Sequence, residues 1–286
     1  MFSSTVKEVW RAIAFPKVRL PADFPFTPKD SGKLYLKSLA CYIVGTLIPL
    51  GLFMGLTAYL IKYHLPLADV LFDQKNFYLL IAGFSVASFL SGFGAQFLYV
   101  RKQVHKQGRT MRDVLSLNAK HFEGSTLKLI GCGVITCVVA AVLQQAIGAV
   151  WPFQIKDPTA DMIAQMHGLS FAMMAALAVL GPIFEEIIFR GFLFSSIRTA
   201  LHRRLPAPAA PNYKGLVNRY DLMASFASAL MFGLMHLNLA GLPLYVAIGM
   251  VLAEAYRRSG SLYVPIIGHL LNNGAIMLLM FLMTKS

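Results

Sequence analysis

About seven stretches of roughly 20 mostly apolar residues recur along the chain, each the length an α-helix needs to cross the hydrocarbon core of a bilayer. They lie near residues 39–61, 77–100, 127–151, 171–197, 222–237, 242–256 and 265–283. The apolar residues come in continuous runs and not in period-2 alternation, which argues for helices and against a β-barrel. Composition agrees: 57% of the 286 residues are hydrophobic and 14% charged, where soluble domains carry roughly 25% charged residues. The predicted fold is all-α, a polytopic transmembrane helical bundle.

The basic residues test that arrangement. Of the 26 Lys and Arg, 21 fall in segments 1–38, 101–128, 198–219 and 257–258, and four (Lys62, Lys75, Lys156 and Lys285) fall in the alternate segments. Positive charge collects on the cytoplasmic side, so the split predicts seven crossings with the N-terminus inside. An eighth crossing within 1–38 is opposed by Pro16, Pro21, Pro25 and Pro28 and by seven basic residues. That segment reads as a cytoplasmic arm without a cleavable signal, carrying a short interfacial helix over 6–15.

Residues 39–169 then form an N-terminal membrane region with a basic loop at 101–126, and residues 170–286 a second membrane core. Within the loop, 104–117 is expected to lie as a surface helix on anionic lipid. The segment 198–221, with Pro206, Pro208 and Pro211, is expected to be extended. The net charge of +13 follows from the cytoplasmic loops. No segment interleaves basic and aromatic residues as a single-strand binder does, so no nucleic-acid partner is expected. Cys41, Cys132 and Cys137 lie inside apolar stretches and read as small hydrophobes.

Only three of the 13 acidic residues fall inside apolar stretches. Glu254 is within one turn of Arg257 and Arg258, which predicts a structural ion pair. Glu185 and Glu186 lie well inside the fourth stretch, where each charge costs several kcal/mol by most scales. Glu186 and Arg190 are four residues apart, acid first, the favourable order for a same-face ion pair. Glu185 is rotated about 100° away and has no basic neighbour at helical spacing. A desolvated, unpaired carboxylate of this kind suits a general base.

Two further stretches carry histidines. His236 stands four residues after Phe232, and His269 four residues before Asn273 on one helical face, with Asn272 facing elsewhere. One base, two imidazoles and an amide donor are the parts needed for water-mediated hydrolysis of a carbonyl. Counted from the flanking charges, Glu185 lies roughly 20 Å deep, His236 roughly 22 Å and His269 roughly 16 Å. Partial extension around Gly260 and Pro265 is expected to carry His269 deeper, so that the three converge in a cavity open to the cytoplasm.

GPIFEEIIFRG, FGLMH and SGSLYVPIIGHLLNN resemble the three motifs of the CAAX protease and bacteriocin-processing (Abi) family, which includes the type II CAAX prenyl endopeptidases. The pattern is a glutamate pair with arginine four after the second, then Phe-x-x-x-His, then His-x-x-x-Asn, and every motif residue is present in order over about 170–280. The resemblance implies an intramembrane glutamate-dependent endopeptidase that needs no cofactor. It implies that Glu185 and His236 activate the attacking water, that His269 and Asn273 stabilise the oxyanion, and that Glu186, Arg190 and Phe232 support the site. The expected partner is a peptide or protein substrate, lipidated or membrane-associated, within the lipid bilayer; the expected location is a prokaryotic inner membrane.

Three other readings stand beside it. Glu185, His236 and His269 have the donor types of a His₂Glu zinc site, although no H-E-x-x-H pair is present. A non-catalytic immunity or scaffold protein would tolerate Glu185→Gln. A transporter would explain the polar intramembrane cluster, but the chain shows no internal repeat.

Overall fold

The computed structural model describes residues 24–63, 74–117, 126–151 and 179–283. Helix α1 spans Pro28–Lys62, α2 Gln74–Lys106, α3 Met111–Val114 and α4 Thr126–Val150. Helix α5 covers residues 179–202: 179–186 are α-helical, Ile187–Phe194 π-helical and Ser195–His202 α-helical again. Helices α6 (Tyr213–Met235), α7 (Leu242–Ser259) and α8 (Tyr263–Met283) follow. No strand occurs among the described residues.

The apolar stretches thus form long helices, and among the described residues two of them, α1 and α4, are long and apolar enough to cross a membrane. Both turn their apolar residues outward: Leu52 is 67% exposed and Val142 64%. A buried core helix of a soluble protein would hide these side chains, and a water-facing one would leave an apolar patch larger than soluble surfaces carry. This is a helical membrane protein.

Helix α1 starts at Pro28 and not at 39, because Thr27 begins it. The Thr27 Oγ1 accepts from the Asp30 N–H at 3.1 Å, and the Asp30 carboxylate accepts from the Thr27 N–H. Pro28 sits in the first turn, where its missing N–H costs nothing. Phe24 and Phe26 pack edge-on against Phe192 of α5, so the end of the expected arm belongs to the core. The interfacial helix expected over 6–15 lies outside the described residues.

The expected surface helix over 104–117 is not found. Helix α2 continues to Lys106, the chain turns at Gly108 (φ +66°), and Thr110 with Asp113 caps the four-residue α3. Val104, Val114 and Leu115 are buried and point into the core rather than toward lipid. Leu115 fills the space beside Gly191 of α5, where an added Cβ would collide with its Cδ2. The segment expected to be extended, 198–221, is largely helical; only 203–212, with its three prolines, is not.

Helix α5 is central. Ile187–Phe192 and Phe194 are all buried, because α1, α6 and α7 pack around this stretch and α3 closes it through Leu115. At one end, Asp221 of α6 takes Arg198 and His202 of α5 at 2.8 Å each and Arg257 of α7 at 3.3 Å. Glu254 pairs with both Arg257 and Arg258. At the other end, the Trp151 indole donates to Ala240 O at 2.8 Å, fastening α4 to the α6–α7 turn.

Candidate active site

Glu185 and Glu186 are the last two residues of the α-helical part of α5, and Glu186 caps the π-helical part that starts at Ile187. In a π-helix the backbone bonds run from i to i+5, a geometry that recurs at functional sites. Glu186 and Arg190 are both fully buried, with Arg190 Nη1 3.0 Å from Glu186 Oε1. The pair is close but not aligned as a hydrogen bond; the guanidinium instead donates from Nη2 to Gly249 O at 3.1 Å. It also lies 4.6 Å above the Phe232 ring, a cation–π contact that strengthens when desolvated. A buried charge pair needs such extra partners to offset its lost hydration.

The approach of Gly249 is what admits that bond. A Cβ there would stand 2.8 Å from the Ala229 Cβ, so α6 and α7 meet at a separation only glycine allows. Small residues at the contact are the usual device for close helix packing in membranes.

His269 lies between the two glutamates. Its Nδ1 is 2.9 Å from Glu186 Oε1 and its Nε2 3.8 Å from Glu185 Oε2. The segment expected to extend and lower it is short: Gly260 caps α7 at φ +61°, and α8 starts at Tyr263 with Pro265 inside its first turn. His269 is therefore held on regular helix and is buried. Asn273 follows one turn later on α8 and is partly exposed, whereas Asn272 is buried.

His236 caps the end of α6. Its Nδ1 is 2.9 Å from Phe232 O; a carbonyl only accepts, so Nδ1 is the donor and Nε2 is the ring nitrogen left to meet a ligand. The ring stacks on Tyr245 of α7 at 4.2 Å between centroids. Phe232 stands between the histidines, 4.7 Å from the His236 ring and 5.8 Å from the His269 ring.

Glu185 and His236 line one cavity of about 230 Å³. The Glu185 side chain is 35% exposed, against none for Glu186. The adjacent acids therefore have different surroundings: one is sealed against Arg190 and the other faces open space. The remaining walls come from residues that sequence reasoning passed over: Tyr35, Leu39 and Tyr42 on α1, Phe93 and Gln96 on α2, and Phe184 and Met235. The spacing of Tyr35, Leu39 and Tyr42 at i, i+4 and i+7 is the available signal, since it puts all three on one helical face.

Among the described residues no three His, Cys, Asp or Glu are grouped to hold a metal ion.

Residues 167–275 match a protein family described as type II CAAX prenyl endopeptidase Rce1-like. YdiL of Bacillus subtilis (strain 168), named as a candidate membrane peptidase, is 32% identical over 107 residues, which cover 37% of this chain and 36% of YdiL. The membrane-embedded CAAX protease MroQ of Staphylococcus aureus (strain USA300) is 28% identical over 145 residues, 51% of this chain and 52% of MroQ. The matches thus span about half or less of these relatives. No solved structure matches the chain.

Proposed function

We propose, from the match of residues 167–275 to the Rce1-like CAAX endopeptidase family, that this chain is an intramembrane endopeptidase in which Glu185 activates a water to hydrolyse a peptide bond. The observation that carries the reading is the position of His269, bridging the sealed Glu186 and the cavity-facing Glu185 at 2.9 and 3.8 Å. Glu185 takes a proton from water while Nε2 of His236 accepts the other hydrogen and orients the attack. The new oxyanion forms near His269 and Asn273. Glu186, 2.9 Å from His269 Nδ1, serves to hold the ring with Nε2 toward Glu185 and the reacting carbonyl. Collapse breaks the C–N bond, and the proton on Glu185 passes to the leaving amine.

The substrate is a lipidated or membrane-associated peptide, which suits a cavity walled by Tyr42, Phe93 and Phe184. The location we propose is a prokaryotic inner membrane, crossed several times, with the N-terminus cytoplasmic; the charge split supports that orientation. The test exposes purified wild type and Glu185→Gln in detergent to a quenched-fluorescence peptide library with lipidated members, with and without chelator. Cleavage by wild type that disappears in Glu185→Gln and ignores chelator is expected. Chelator-sensitive cleavage restored by zinc would transfer the role to a metal.

A further inference from the structure

We propose that Tyr35 of α1 is a further catalytic residue, its phenol O–H donating to the oxyanion of the tetrahedral intermediate. The proposal rests on the reading of Glu185 as the base.

Tyr35 is 9% exposed and lines the same cavity as Glu185 and His236. Its hydroxyl donates to the sulfur of Met235, the residue before His236. A thioether is a weak acceptor. A buried phenol spent on sulfur inside a cavity that holds a carboxylate and an imidazole is a strong donor held in reserve. An oxyanion is a far better acceptor, and charge-assisted hydrogen bonds are roughly twice as strong as neutral ones.

The placement of Tyr35 is fixed from two sides. Gln96 Nε2 of α2 donates to Ser38 Oγ at 3.3 Å, and Ser38 Oγ donates to Tyr35 O at 2.8 Å. Its ring packs on Phe189 at 5.7 Å, and Phe189 stands edge-on to Phe232 at 5.4 Å. The N-terminal helices therefore hold the phenol in register with the histidine-bearing side of the site.

In the step, water oxygen bonds to the carbonyl carbon and its proton goes to Glu185. The carbonyl π pair moves onto oxygen, and Tyr35 turns its O–H from Met235 to that oxygen without giving up the proton. Reformation of C=O expels the amine, which takes the proton from Glu185, and the Tyr35 hydroxyl returns to sulfur.

The experiment compares wild type, Glu185→Gln and Tyr35→Phe on one cleaved peptide, together with the affinity of a peptidyl aldehyde, whose hydrate mimics the tetrahedral intermediate, and of the matching alcohol. Tyr35→Phe keeps the ring and its packing. Its kcat is expected to fall about 100-fold, the scale of losing one oxyanion donor, with KM and melting temperature essentially unchanged. Aldehyde affinity falls with kcat and alcohol affinity does not. A Tyr35→Phe protein with wild-type kcat and aldehyde affinity, or with a change in KM alone, overturns the proposal while Glu185→Gln remains dead. Cleavage by Glu185→Gln, or a wild type that neither cleaves nor binds the aldehyde, overturns the parent reading as well.

Discussion

His269 Nδ1 lies 2.9 Å from Glu186 Oε1, and the same carboxylate oxygen lies 3.0 Å from Arg190 Nη1. One buried oxygen thus faces both the guanidinium and the imidazole. Glu186→Gln removes the charge that orients His269 and leaves Glu185 intact. Its kcat is expected to fall about 10²-fold or more, less than for Glu185→Gln, with KM little changed. Steady-state kinetics of the two variants on one peptide check the ranking.

Breaking the ion pair from the other side tests its structural part. Arg190→Met takes the guanidinium from Glu186, leaving His269 as its remaining partner, and is expected to destabilise by up to about 3–5 kcal/mol. Adding Glu186→Gln to Arg190→Met recovers a part of that loss, because two neutral groups then face each other. Thermal unfolding in detergent of both single variants and the double variant measures the coupling.

Gly249→Ala adds a methyl 2.8 Å from the Ala229 Cβ and 3.3 Å from Phe232 Cδ1. Overpacking a tight contact costs about 1–3 kcal/mol, and here it pushes Phe232 toward the histidines. Stability and kcat are therefore expected to fall together. Gly32→Ala, on α1 with open space around its Cβ, leaves kcat unchanged and does not lower stability.

The loop that seats Leu115 responds to acid. Hydrogen bonds from Thr110, side chain first and then backbone, hold the Asp113 carboxyl below its ordinary range. A group depressed in the folded state contributes stability above its unfolded pKa, and that contribution is lost as pH falls through the folded value. Thr110→Ala is thus expected to lower the melting temperature at neutral pH and to converge with wild type well below pH 4. Melting curves across pH check this.

The helical membrane fold was legible because about 20 apolar residues in a row have few other uses. Helix starts were less so. Pro28 reads as a breaker when prolines are counted, and as a starter once Thr27 and Asp30 are read as a cap with Pro28 between them. Residues 104–117 read as a lipid-facing surface helix because the basic residues dominate; which side of Val104, Val114 and Leu115 meets protein depends on Gly191, far along the chain. At the site, the motif spacing placed Glu186 opposite Arg190 but assumed α-helical geometry. The π-helical stretch Ile187–Phe194 has no signature in local propensity, being a result of packing on all sides. The engagement of His269 with both glutamates was hidden for the same reason: helical faces are set by local sequence, but which atoms of separate helices meet is set by the bundle.

The central claim is that Glu185 is the base, and the most direct measurement is the single-turnover cleavage rate of one peptide by wild type and Glu185→Gln at matched folded concentration. Glutamine keeps the shape and cannot take the proton, so the account predicts a loss of at least ~10²–10⁴-fold, the range a general base supplies, with peptide affinity retained. Cleavage by Glu185→Gln within tenfold of wild type would contradict it.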